Sequence, residues 1–100
     1  MGLDLPTRGA VEQMIDQAVK LVPDTAIIFK APAAKVNFKI SSESDFVLGV
    51  TYGRIMMSIT TFWNLTRKRA MNSDELDEIN NAIFRRLPEI HKAISDASYV

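Results

Sequence analysis

The chain has 100 residues, of which twelve are Lys or Arg and twelve are Asp or Glu, so its formal net charge is zero. Hydrophobic residues make up 47% and charged residues 24%, which is typical of a single folded domain over residues 1–100. The absence of cysteine excludes a disulfide scaffold, a thiolate metal site and a cysteine nucleophile, and the single histidine, His91, excludes a multi-histidine metal site.

No run of the sequence approaches the about 20 apolar residues that a membrane span requires. The first residues contain an acid, Asp4, where a secretory signal has positive charge, and no apolar run follows it. The sequence therefore predicts a cytoplasmic protein that does not cross a membrane.

Residues 7–22 have the spacing of an amphipathic helix. Thr7 is the predicted N-cap. The helix should end before Pro23, because the residue that precedes a proline is disfavoured in helical backbone. The apolar positions that recur at helical spacing are Val11, Met14, Ile15, Ala18, Leu21 and Val22.

The middle of the chain alternates in the manner of β-strands. Residues 26–29 form a short apolar run. In residues 35–40, Val36, Phe38 and Ile40 alternate with polar side chains, so one side of an extended strand would face a core and the other would face solvent. These two segments are predicted to be the first two strands of a sheet.

Two further strands are predicted, with short connections. The polar residues 41–45 should form a hairpin loop that leads to a strand at 46–51. Tyr52 and Gly53 should form a tight turn, in which glycine can adopt positive φ, before a last strand at 54–62. Because connections this short favour antiparallel neighbours, the four strands should form a meander.

The last third of the chain returns to helical spacing. Asn72 and Glu75 have the spacing of a capping box, and Pro88 should break the helix that follows. The predicted fold is therefore α+β, with a four-stranded antiparallel meander flanked by an N-terminal and a C-terminal helix in two layers. The apolar stripe of the C-terminal segment consists of Leu76, Ile79, Ile83, Leu87, Ile90 and Ile94.

If both helices cover the same face of this sheet, the other face is left open, and exposed apolar patches of this kind often mark interaction sites. We therefore predict a small non-enzymatic protein-interaction or regulatory protein that acts as a homodimer. The alternative is a solvated face with scattered hydrophobic residues. The predicted partner interface consists of Val47, Met56, Phe62 and Trp63. The remaining residues of the open face are Lys35, Asn37, Lys39, Gly49, Thr51, Ser58 and Thr60.

Nucleic-acid binding is the second candidate function. Trp63 stands close to three cations, and an aromatic that stacks on a base beside cations that hold phosphate is the chemistry of single-strand binding. The zero net charge opposes this function, and the acidic residues at 74–78 are candidates for neutralising the basic segment. The basic residues assigned to nucleic acid are Arg54, Arg67, Lys68, Arg69, Lys35 and Lys39.

Two other groups of residues have weaker chemical interpretations. One face of the predicted helix carries three acids, Asp74, Asp77 and Glu78, whose carboxylate oxygens are ligands for a divalent cation. The helix dipole also favours acids near the start of a helix, and this explains them without a metal. His91 is the residue type of a general base, but no spacing in the sequence indicates a serine or a carboxylate paired with it. The sequence predicts neither catalysis nor a cofactor.

Overall fold

The computed structural model describes residues 3–97, and within this range the chain forms six helices and no strand. The predicted α+β fold with a four-stranded meander is therefore wrong, and the chain is a helical bundle. The helices are α1 (Leu5–Lys20), α2 (Val22–Lys30), α3 (Pro32–Phe38), α4 (Glu43–Arg67), α5 (Ser73–Arg85) and α6 (Leu87–Ala97).

The helix predicted at 7–22 is α1, but both of its ends differ. Asp4 rather than Thr7 is the N-cap, since the Asp4 carboxylate accepts a hydrogen bond of 2.9 Å from the backbone N–H of Thr7. The helix ends at Lys20, and Pro23 is the second residue of α2 instead of the stop. Proline fits the first turn of a helix because its missing N–H has no partner there.

All four predicted strands are helical. The strand predicted at 26–29 lies in α2, and the one predicted at 35–40 lies in α3 and the turn that follows it. The strands predicted at 46–51 and 54–62, with the turn predicted at 52–53, form one continuous helix, α4. The outcome is a helix of 25 residues in place of a hairpin.

The burial pattern of α4 explains why this segment is helical. Ile55 and Ile59 are fully buried, whereas Met57 between them is 73% exposed, which is incompatible with a strand that places all three on one face. Every fourth residue faces the core, and α1, α2 and α6 pack against α4. This buried row consists of Val47, Thr51, Ile55, Ile59 and Trp63.

The C-terminal third forms as predicted. The capping box is present: the backbone N–H of Glu75 donates to the Asn72 side chain at 2.8 Å, and the backbone N–H of Asn72 donates to the Glu75 carboxylate at 2.9 Å. The break predicted at Pro88 is also confirmed, since α5 ends at Arg85 and Pro88 lies in the first turn of α6. Of the predicted apolar stripe, Leu76 is exposed and Leu87 half-buried, and the four isoleucines are buried.

Arg86 links α1 to the junction of α5 and α6. Its guanidinium donates to both carboxylate oxygens of Glu89, at 2.9 and 2.8 Å, to Glu12 at 3.1 Å, and to Asp16. These hydrogen bonds, first with Glu89 and then with Asp16 and Glu12, raise the pKa of Arg86 above its ordinary value. One cation therefore holds three carboxylates from two parts of the bundle.

Helix α3 lies at the edge of the molecule, and none of its residues is buried. It is held by ring contacts and one ion pair. The Phe38 ring lies 5.8 Å from that of Phe29 and 5.9 Å from that of Phe46, and Lys35 pairs with Glu43 at 3.1 Å. These contacts attach α3 to α2 and to the first turn of α4.

Candidate protein-interaction surface

The side of α4 that faces away from the core is also formed by every fourth residue. Two residues along a helix are about 200° apart, so these positions lie opposite the buried row. Met57 and Leu65 are its large hydrophobic members, 73% and 74% exposed. We call this set the outer row; it consists of Asp45, Gly49, Gly53, Met57, Thr61 and Leu65, all of them exposed.

An apolar groove of about 310 Å³ runs along one side of the outer row, between α4 and the α5–α6 junction. Phe84 stands at its edge, 56% exposed, and the hydroxyl of Tyr52 donates to the side-chain oxygen of Asn80 at 2.8 Å, which fixes the tyrosine ring beside it. The groove is lined by Asp45, Leu48, Gly49 and Tyr52 of α4 and by Ile83, Phe84, Leu87 and Ile90.

A shallower hollow lies on the other side of the outer row, around Gly53 and Met57. It borders α2, because the Arg54 guanidinium donates to the hydroxyl of Thr25 at 2.9 Å. The hollow is lined by Val50, Gly53, Arg54, Met57 and Ser58. Depressions therefore lie on both sides of the outer row.

Charge is nearly absent from this surface. Arg54 is the single charged residue from position 46 to position 66, and its guanidinium is engaged with Thr25. Asp45 lies at the N-terminal end of the outer row. Depletion of charged residues is a compositional mark of the centre of protein interfaces, whereas a solvated helix face is normally rich in them.

Two glycines in the outer row have no role inside the chain. Gly49 and Gly53 have helical backbone without positive φ, and a Cβ atom built on either would meet no described atom within 4 Å outside the backbone of α4. Each costs about 1 kcal/mol relative to alanine in a helix interior. Neither a turn nor internal packing accounts for glycine at these two positions.

The predicted partner interface does not form a surface in the fold. The sheet face that would present it is absent, and Val47 and Trp63 lie in the core with 1% exposure each. Met56 is half-buried and packs against the core, and Phe62 is half-buried in a depression beside α1. Helix α4 turns these four side chains toward its neighbours, so they do not share an exposed face.

Two arginines that follow Trp63 in the sequence cover its ring, so the ring does not face solvent. The guanidinium carbons of Arg67 and Arg69 lie 4.8 and 5.3 Å from the centroid of the indole ring. The indole Nε1 is buried and has no hydrogen-bond partner among the described residues. A ring that is 1% exposed and contacted by two guanidinium groups is not accessible to a nucleobase.

Both of these arginines also have protein partners. Arg69 donates to the two carboxylate oxygens of Glu75 at 2.9 and 2.8 Å, so an acid from the run at 74–78 neutralises it. Arg67 donates to the hydroxyl of Thr7 at 2.7 Å and pairs with Asp4 at 3.6 Å. These contacts join the end of α4 to the starts of α1 and α5.

The other predicted nucleic-acid contacts are scattered. Lys35 pairs with Glu43 at the opposite end of α4 from Arg67, about 37 Å away along the helix. Lys39 and Lys68 both have positive φ at the C-terminal ends of α3 and α4. The structure does not bring the six basic residues together, and nucleic-acid binding stays a prediction that this geometry does not favour.

Glu75 makes the end of α4 sensitive to acid. Hydrogen bonds from the Arg69 guanidinium and from the backbone N–H of Asn72 lower its pKa from 4.5 to about 2. Because the folded pKa lies below the unfolded value, the stabilisation is complete above pH 4.5 and is lost as the pH falls toward 2. We expect Glu75→Gln to lower the urea midpoint at pH 7 and to approach the wild type near pH 2.

The exposed neighbour Asp74 supplies the control for this experiment. Asp74→Asn should shift the urea midpoint much less than Glu75→Gln at pH 7, because the Asp74 carboxylate is not the partner of Arg69. A difference between Glu75→Gln and wild type that stays constant from pH 7 to pH 2 would contradict the assignment.

The acidic cluster and the histidine lie apart from the groove walls. Glu78 is engaged by the Arg8 guanidinium at 2.9 Å, and Asp74 and Asp77 are exposed on α5. His91 is exposed on α6. Within residues 3–97 no group of three or more His, Cys, Asp or Glu side chains is placed to hold a metal ion.

Comparison with known protein families, with curated proteins and with solved structures gives no match. Over the described range, no helix combines the length and the hydropathy that crossing a bilayer requires.

Sequence reasoning missed the residues that form this surface. A strand at 54–62 places Met57 on the same face as Ile55 and Ile59, and Tyr52 falls in the predicted turn. Phe84 belongs to a helix whose apolar stripe does not include it. The sequence does contain one signal of this surface, a spacing of four residues that begins at Asp45. After Asp45, every residue at this spacing through Leu65 is small, apolar or uncharged.

Proposed function

We propose that the chain is a non-enzymatic protein-binding domain whose contact surface is the α4 face. The α4 face comprises the outer row together with the groove and the hollow that flank it. The observation that carries this proposal is an open apolar groove, with Phe84 exposed at its edge, beside a helix that has one charged residue between positions 46 and 66. A cytoplasmic location, which the sequence predicts, belongs to the same proposal.

The shape of the groove suits the apolar side of an amphipathic helix. Its volume of about 310 Å³ is at the lower end of binding pockets, and it is open along its length, so side chains enter it from a segment that lies across it. Leu48, Leu87 and Phe84 supply the apolar contacts. Asp45 is the one charge among the lining residues and lies at the end of the groove.

Peptide selection on the immobilised protein tests this function. We expect enriched peptides to have apolar residues at helical spacing. Phe84→Asp should weaken their binding at least about tenfold, because it places a charge at the apolar edge of the groove. Affinity is measured by titration with a fluorescent copy of the selected peptide.

Val36→Asp is the matched control, since Val36 is a 74% exposed hydrophobic residue on α3, outside the α4 face. Peptide affinity should be unchanged in this variant. Equal losses in the two variants, or no loss in Phe84→Asp, would show that the selected peptides bind elsewhere. Circular dichroism spectra establish that both variants remain helical.

A further inference from the structure

We infer that the occupant of the α4 face is a second copy of this chain, with the two α4 helices antiparallel and a two-fold axis at Gly53. The inference rests on the proposed function, because it names the partner for that surface. Three observations support it: the register of the outer row, the distribution of charge and the area available for contact.

The outer row is self-complementary about Gly53. Gly49 and Met57 lie four residues on either side of it, so an antiparallel copy places each Met57 over Gly49 of the other copy. Met57 is 73% exposed, and in the described part of the chain no atom lies within 4 Å of a Cβ built at Gly49. A large side chain therefore meets a small one twice, which is how well-packed helices interdigitate.

A parallel pair lacks this complementarity. In a parallel dimer Met57 would meet Met57 of the other copy, and Gly49 would meet Gly49, so the helices would be held apart at one position and leave a gap at the other. At the antiparallel crossing, Gly53 meets Gly53 and allows close approach of the two backbones. The antiparallel arrangement is the one that fills the surface.

The charges also fit a second copy. The formal net charge of the chain is zero, so two copies do not repel each other as wholes. In the antiparallel register Asp45 faces Thr61 of the other copy, and Arg54 lies near Tyr52 of the other copy, where a cation can contact an aromatic face. No two like charges meet along the crossing.

The area of the face is sufficient for a dimer. Helix α4 has 25 residues and is about 37 Å long, and the molecule is 24 Å wide. The side of the molecule with these dimensions has a projected area of about 900 Å² on each copy. This leaves room for a contact of about 800 Å² per partner, the size of a standard protein interface.

Molar mass by light scattering on a gel-filtration peak is the first test. We expect the wild type to have twice the chain mass of 11.2 kDa, and Met57→Glu to have the mass of one chain, because two buried carboxylates would face glycine backbone. Val36→Glu is the control, with the same exposure as Met57 but on α3, and it should remain dimeric. A monomeric wild type, or a dimeric Met57→Glu, would overturn the inference.

Cysteine cross-linking tests the axis, since the chain has no cysteine of its own. Gly53→Cys should form a disulfide-linked dimer on mild oxidation, because only a residue at the axis meets itself at the Cα separation of about 4.4–6.8 Å that a disulfide needs. Gly49→Cys alone should not cross-link, whereas a mixture of Gly49→Cys and Met57→Cys chains should. Efficient cross-linking of Gly49→Cys alone would show a parallel pair and overturn this register.

The experiments can contradict either proposal without contradicting the other. A monomeric wild type whose selected peptides still depend on Phe84 would remove the second copy as occupant and leave the protein-binding function in place. A dimer that cross-links at Gly53 while peptide binding ignores Phe84 would support the inference and locate the peptides elsewhere.

Discussion

Trp63→Ala is expected to lower the free energy of unfolding by about 3–5 kcal/mol, the usual cost of truncating a buried tryptophan. Trp63 is 1% exposed and ends the buried row of α4. Its ring also supports the Arg67 and Arg69 guanidinium groups, which in turn bind Thr7 and Glu75. The change therefore affects the place where α4 meets the starts of α1 and α5. Urea denaturation followed by far-UV circular dichroism measures it.

Two variants make this result specific. Leu65→Ala, at a 74% exposed position in the last turns of α4, should change the unfolding free energy by less than about 0.5 kcal/mol. Trp63→Phe should cost less than Trp63→Ala, because it keeps most of the apolar volume and removes an indole N–H that has no partner among residues 3–97. Similar losses in Leu65→Ala and Trp63→Ala would be inconsistent with a buried Trp63.

Gly53→Pro is expected to destabilise the fold by about 3 kcal/mol or more. Gly53 lies in the middle of α4, and proline there removes a helical hydrogen bond and clashes with the preceding turn. Gly53→Ala is the control, because a Cβ at this position meets nothing within 4 Å. Denaturation at low protein concentration, where a dimer dissociates, compares the two variants as single chains.

The same pair of variants distinguishes the helix from the hairpin that the sequence suggests. If residues 52–53 formed a tight turn with positive φ at Gly53, both alanine and proline would be strained there, because proline has its φ fixed near −65°. A loss of stability in Gly53→Ala comparable to that in Gly53→Pro would therefore contradict the continuous α4.

What sequence reasoning predicted correctly depends on local chemistry. The capping box at Asn72 and Glu75 and the break at Pro88 involve groups within a few residues of one another, so their spacing is visible in the sequence. The first helix is also local, although its cap was assigned to Thr7 instead of Asp4. Both residues can cap a helix, and their positions differ by three.

The middle of the chain was misassigned because it is compatible with two periods. Val, Ile, Thr and Phe favour strands, and residues 54–62 alternate well enough to fit one. Positions 47, 51, 55, 59 and 63 fit a helix equally well. The two structures differ in whether a turn forms at Gly53. Without that turn, the segment is one helix of 25 residues, and its packing against the other helices, which local spacing does not show, determines this result.

The candidate surface depends on contacts that no local pattern shows. The groove forms where α4 meets the α5–α6 junction, more than thirty residues further along the chain. The concealment of Trp63 likewise requires Arg67 to reach Thr7, which is 60 positions away in sequence. Residue types alone suggested an accessible aromatic beside cations, whereas the fold engages those cations with its own hydroxyl and carboxylate groups.

Helix α3 determines where this fold opens most readily. Because no residue of Pro32–Phe38 is buried, its release removes ring contacts and one surface ion pair without exposing a core side chain. Such a segment unfolds locally at a free energy far below that of the whole chain, so its amide hydrogens exchange early and proteases reach it first. Opening of this segment leaves in place the core that α1 and α2 share with α4, α5 and α6.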